Sequence, residues 1–162
     1  MGFSALKAIL IRQVRAAVPV RSPLETFTCV EDATGVVDLL DDFSAMAPDR
    51  RFDLRLDRGP VDDGESGRSH RRLRAHLLCR VAYRLDGDRS YAEEKIAEDV
   101  SVLIDALMLA PLSSGFAGAG GDTTSVPGEV AETTVTTKED NKVLGRVIAI
   151  PFDLLYHEGA AE

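Results

Sequence analysis

Tryptophan is absent from this 162-residue chain, and aromatic residues together make up only 6%. Carbohydrate clefts and base-stacking grooves need large aromatic faces, so both are disfavoured. Cysteine is equally scarce. Cys29 and Cys79 stand fifty residues apart and outside any CxxC, which excludes a disulfide scaffold; both read as buried thiols in a reducing cytosol. No stretch of 18 residues is apolar and uncharged, because Asp105 interrupts the best one. Ala8 to Ile11 is apolar but too short, between Lys7 and Arg12, to form a signal-peptide core. Leu6 stands where a myristoylation signal needs Ser or Thr. The expectation is a soluble chain with no membrane contact.

What is present is enough for a core. Hydrophobic residues make up 44%, and the length suits a single domain over 1–162 that removes roughly two-thirds of its unfolded surface from water. The net charge is −8, which disfavours free-standing nucleic-acid binding. That charge is unevenly spread. Arg50 to Arg89 holds eleven arginines, no lysine and seven acidic residues, a balance of +4, and the remainder carries −12. A basic centre with acidic flanks suits charge-complementary assembly with further copies or a partner, as well as an ordinary mixed surface.

The hydrophobic periodicity gives the element order. Leu6, Leu10, Val14 and Val18, beside Phe3 and Ile9, predict a helix over Phe3 to Ala17 that Pro19 ends. Phe27 to Val30 suits a short strand, and Val36 to Phe43 a strand or a helical turn. Phe52, Leu54 and Leu56 alternate with Asp53, Arg55 and Asp57 in a half-buried strand. Gly59 to Ser69 reads as a turn or mobile loop. The clearest strand follows. Leu73, Ala75, Leu77, Cys79, Val81, Tyr83 and Leu85 lie on one face, and Arg72, Arg74, His76, Leu78, Arg80, Ala82 and Arg84 on the other. Its length suggests part of a projecting ribbon.

Ser90 and Glu93 form a capping-box pattern opening a helix from Tyr91 to Leu109 that Pro111 closes. Ile96, Val100, Leu103, Ile104 and Leu107 form its apolar stripe, while Glu93, Glu94, Glu98, Asp99 and Asp105 face water. Leu112 to Gly128 is Gly/Ser/Thr-rich and reads as a long functional or mobile loop. Glu129 to Lys138 has strand composition, and Glu139 to Lys142 is a polar turn. Val143 to Tyr156 is a strand pair or one bent strand in which Pro151 demands an edge position or a bulge. Residues 157–162 form a frayed tail. The fold class is α+β: an antiparallel or mixed sheet with two main helices on one face, a long β-hairpin and long loops.

The chemistry-bearing residues select no reaction. His70, His76 and His157 share no ligand spacing with either cysteine, so no metal site is expected. The acidic clusters Asp38, Asp41, Asp42 and Asp62, Asp63, Glu65 do not match a calcium loop. Gly115 to Gly121 follows a helix and lacks the Lys-Ser or Lys-Thr of a phosphate loop. There is no GxSxG elbow. No catalytic residue and no cofactor are expected. One feature goes beyond the fold: Arg72, Arg74, Arg80 and Arg84 project from one side of a strand, with Arg55 and Arg58 beside them. Guanidinium groups suit fixed bidentate pairing with carboxylates, and these six are the candidate inter-subunit or partner contacts. The competing readings are edge charges that resist aggregation and contacts to DNA phosphates.

The run Arg74-Ala75-His76-Leu77-Leu78-Cys79-Arg80-Val81-Ala82-Tyr83-Arg84-Leu85, then Gly87-Asp88-Arg89, Tyr91 to Asp99 and Leu103 to Leu107, resembles tail terminator proteins of long-tailed bacteriophages. The similarity covers about 130 residues in layout and about 35 in local pattern. It implies a virion protein at the tail–neck junction, present in the host cytoplasm during assembly. The implied form is a homo-hexameric ring that caps the head-proximal end of the tail tube, ends its polymerisation and docks the neck or connector protein. Genomic DNA would pass through its lumen without specific binding, with no catalysis, cofactor or membrane. A neck or tail-completion protein shares this layout. A small cytosolic α+β enzyme or ligand-binding domain is the alternative from a different class, and a nucleic-acid binding module a third.

Overall fold

Two helices lie against one face of a six-stranded mixed sheet, the α+β arrangement that the periodicity predicts. The computed structural model describes residues 3–30, 39, 49–61, 70–85, 88–113, 124–137 and 139–159. The elements are α1 (Phe3–Ala16), β1 (Thr28–Cys29), β2 (Arg51–Val61), β3 (His70–Arg84), α2 (Arg89–Ser113), β4 (Thr124–Pro127), β5 (Ala131–Thr136) and β6 (Val143–Gly159). The sheet runs β1-β2-β3-β6, and β4 and β5 both pair with the far side of β6. Only β1 and β2 are parallel. Val36 to Phe43, apart from the buried Leu39, lies outside the described residues, as do the two acidic clusters and Gly115 to Gly121.

Leu6, Leu10 and Val14 are buried along α1, but Val18 is 67% exposed. The amide of Ala17 bonds the carbonyls of Gln13 and Val14 at 3.1 and 3.2 Å, so the helix tightens and stops before the next turn places Val18 on the stripe. Ile96, Leu103 and Leu107 of α2 meet the same core. Facing them are Phe52 and Leu54 of β2, the odd-numbered residues Ala75 to Tyr83 of β3, and Ile148, Ile150, Phe152 and Leu154 of β6. A period-2 pattern packed against a period-3.6 pattern generates this two-layer core.

Several sequence expectations are corrected. Gly59 to Val61 belongs to β2 and is not loop; residues 62–69 lie outside the description. From Leu73 to Ala82 β3 is flanked by β2 and β6 and is not part of a two-stranded ribbon; at residues 70–72 it pairs with β6 alone among the described residues. Residues 157–159 do not fray but pair with Arg72, Arg71 and His70. The cap of α2 is Asp88, not Ser90: its Oδ1 accepts the Ser90 amide at 2.9 Å and its carbonyl accepts the Ala92 amide at 3.1 Å.

Pro111 does not close α2, which continues to Ser113. Proline has no N–H to give the carbonyl four residues back, that of Leu107. Ser125 Oγ of β4 donates to that carbonyl instead, at 3.3 Å. The stretch from Leu112 to Gly128 is therefore not one loop, because its two ends are helix and strand. Ser125→Ala is expected to cost about 1 kcal/mol by removing this bond, read as a shift of the urea midpoint at constant slope.

Pro151 sits in an interior strand, opposite Leu78. Its carbonyl accepts the Gly128 amide at 2.8 Å, so its missing N–H faces the same side, the seam between β4 and β5. No β3 ladder bond is lost. A Cβ on Gly128 would lie 3.0 Å from Pro151 Cγ, which explains glycine at the seam.

Candidate interaction surface

Strand register sorts the arginines. Residues directly opposite in antiparallel strands share a face. The face away from the helices carries the rows Asp53–Arg80–Ala149, Arg55–Leu78–Pro151 and Asp57–His76–Asp153. Arg74 is opposite Leu155 in the next row. One end of this face is dry, where Ala82 and Val147 pack with Val30 and Leu39. Beyond it the surface is charged, with half-buried Leu78, Ala149, Pro151 and Leu155 between exposed Arg55, Arg74, His76 and Asp153. His76 Nδ1 lies 2.6 Å from Asp153 Oδ1 across the two central strands.

The six predicted contacts therefore divide. Arg55 and Arg74 are exposed on this face. Arg72 belongs to the same row set by register, opposite His157. Arg80 is half-buried and gives a two-pronged bond to Asp53, Nε at 2.9 Å and Nη2 to the other oxygen. Arg84 is half-buried, and its amide donates to Asp49 Oδ1 at 3.0 Å. Arg58 is opposite Ala75, so it lies on the helix side of the sheet, exposed near its rim. The guanidinium–carboxylate pairing expected of the arginine face thus occurs within the chain at Arg80. Edge charges do not describe Arg74 and Arg80, where β2 and β6 flank β3; Arg55 and Arg58 lie on β2, nearer the margin of the sheet.

The densest polar cluster is one that the sequence reading missed. Asp99, assigned to the wet side of α2, is completely buried and so is Arg50. Arg50 Nε donates to Asp99 Oδ2 at 2.6 Å and Nη2 to Oδ1 at 3.0 Å. Nη1 donates to the carbonyls of Ser22 and Glu25 at 3.0 and 2.9 Å, and Nη2 to that of Arg21 at 2.6 Å. All five guanidinium N–H groups are used, the condition under which a buried arginine is tolerated. Phe27 packs against its carbon end, 5.8 Å from ring centre to Cζ.

Around this pair, Lys95 Nζ donates to Asp49 Oδ2 at 2.6 Å and Glu25 Oε2 at 3.1 Å. Burial pulls the Lys95 ammonium down, but Asp49 and Glu25 outweigh it and hold its pKa above the ordinary lysine value. Burial pushes the Asp99 carboxyl up, against the pull of Arg50. Burial, reinforced by the Asp99 charge, also raises the Tyr83 hydroxyl. Arg21 extends the network to Glu98 at 2.9 Å and Glu94 at 2.5 Å. The cluster clamps residues 21–25, the start of β2 and α2 together. It holds Ser22 and Arg50 at φ of 50° and 56°, the left-handed region where non-glycine residues are strained.

Its chemical role is structural. The guanidinium is saturated and sealed from solvent, leaving no donor for a ligand. Cys79 is buried beneath the sheet, where desolvation pushes its thiol up and suppresses thiolate formation. Among the described residues no three His, Cys, Asp or Glu side chains converge on a metal site. Among them, too, no helix is long and apolar enough to cross a membrane. No protein-family model matches the chain, and no curated protein matches it.

Proposed function

We propose that this chain is a structural virion protein that assembles as a ring on the head-proximal end of a phage tail tube, ends tube growth and joins tail to neck. The observation that carries the reading is the sheet face turned away from α1 and α2. Its three long strands set half-buried Leu78, Pro151 and Leu155 among exposed Arg55, Arg74 and Asp153. A hydrogen-bonded surface of mixed charge with an apolar lining suits docking on another protein. The sequence pattern from Arg74 to Leu107 supports the tail-terminator assignment. In this reading the open face meets the tube or the neck, and DNA crosses the ring without specific contacts.

Negative-stain microscopy of the concentrated chain, alone and mixed with purified tail tubes of a long-tailed phage, tests the proposal. Closed rings, alone or seated on tube ends, are expected; dispersed monomers in both samples overturn it. Arg74→Glu changes an exposed side chain, so stability should move by no more than about 0.5 kcal/mol. The same variant is expected to detach the protein from tube ends, measured by co-sedimentation.

A further inference from the structure

We infer that neighbouring copies join edge to edge, β2 of one copy pairing antiparallel with β5 of the next, with Arg58 opposite Glu132 of the neighbouring copy. The inference rests on the ring reading and supplies its subunit contact. Among the described residues, β1 covers the outer edge of β2 only at Arg51 and Phe52, and no strand pairs with the outer edge of β5. Among the described residues the sheet therefore ends in two different open edges. An unpaired edge presents a row of backbone donors and acceptors, and pairing it with a different edge gives a head-to-tail contact able to close into a ring.

Direction, face and charge agree on one register. β2 is antiparallel to β3, β3 to β6 and β6 to β5, so β5 runs opposite to β2. A rotation about an axis along the strands preserves these directions, and the new pair is antiparallel. Keeping the helices of both copies on the same side requires helix-side residues to oppose helix-side residues. Arg58 is on that side through Ala75, and Glu132 through Ile148. Placing them opposite puts Asp57 against Thr133, Leu56 against Thr134 and Arg55 against Val135.

This register brings opposite charges together and puts no like charges opposite one another. The arginine stem of Arg55 would lie along Val135, which is already half-buried against the dry end of the face formed by Val30, Leu39, Ala82 and Val147. Irregularities bracket the same four rungs, between Arg58 and Val61 in β2 and between Val135 and Thr136 in β5. All of β5 except Val135 is exposed, and its threonines and valine favour strand pairing. Glu132 Oε1 already lies 2.9 Å from Arg146 Nε in an ion pair, so the carboxylate sits beside one cation and has a second oxygen to offer Arg58.

The test uses the full chain with Asp57→Cys in one preparation and Thr133→Cys in another, treated with a short bis-maleimide. Cys29 and Cys79 are buried and stay silent. Both positions are exposed, and thermal melts of each variant check the fold. Covalent dimers are expected only when the two preparations are mixed, and adding Arg58→Glu to the Asp57→Cys chain should raise the concentration for half-maximal cross-linking at least tenfold. Dimers within either single preparation would replace this contact with a two-fold one. Ring-sized particles without cross-links would overturn the edge pairing and leave the ring reading intact. Monomers without cross-links at every concentration would overturn both.

Discussion

Arg50→Ala is expected to destabilise the fold by about 3–5 kcal/mol, the range for removing one partner of a buried ion pair. The loss has two parts. Asp99, buried and aimed at the vacated space, loses the guanidinium bonds to both of its oxygens. The carbonyls of Arg21, Ser22 and Glu25 lose their donors as well, so residues 21–25 lose their tie to the start of β2 and stay joined to α2 through the Arg21 and Lys95 ion pairs. Arg50→Lys separates charge from shape. A lysine keeps the charge but lacks the planar fork, so it supplies three donors where five are used. Its expected stability lies between those of the parent and the alanine variant. Urea denaturation of the three proteins measures this, and an alanine variant within about 1 kcal/mol of the parent would contradict the clamp.

Phe152→Ala is expected to cost about 3–5 kcal/mol, the range for truncating a buried aromatic side chain. Phe152 is 1% exposed, opposite Leu77 on β3 and Pro127 on β4. It faces the helices at the end of the β4 pairing, beside the seam between β4 and β5. The rigid neighbours on both sides restrict collapse into the cavity, which favours the upper half of the range. Val126 gives the contrast. It is 62% exposed on the other face of β4, and Val126→Ala should change stability by no more than about 0.5 kcal/mol. Equal losses from the two substitutions would mean that the assignment of faces along β4 and β6 is wrong.

The sequence disclosed most of the fold because its strongest signals are local. The alternation from Leu73 to Leu85 assigned Ala75, Leu77, Cys79, Val81 and Tyr83 to the core face, and all five are buried. The Leu6, Leu10 and Val14 stripe and the Ile96, Leu103 and Leu107 stripe also matched their buried faces. The errors arise where a distant partner replaces a local rule. Pro111 stops a helix only when nothing else serves the Leu107 carbonyl, and Ser125 serves it. Pro151 is compatible with an interior strand only because two shorter strands meet beside it.

The missed clamp did leave a trace. Asp99 falls three residues after Ile96 and four before Leu103, squarely on the apolar stripe. A charge at that spacing is either solvated at the rim or paired in the core, and the acidic composition of the helix favoured the first choice. Its partner is 49 residues away, beyond any local pattern. The arginine face was legible as alternation, but the division within it was not. Arg80 turns inward to Asp53 because that residue is its cross-strand neighbour, and Arg58 changes sides because it is opposite Ala75.

The central claim is that the chain works as an assembled ring, and its mass in solution tests this most directly. Light scattering on the full chain across a wide concentration range should show a species well above 17.5 kDa, approaching about 105 kDa for six copies. A mass that stays at 17.5 kDa at every concentration, unchanged by added tail tubes, would contradict the account.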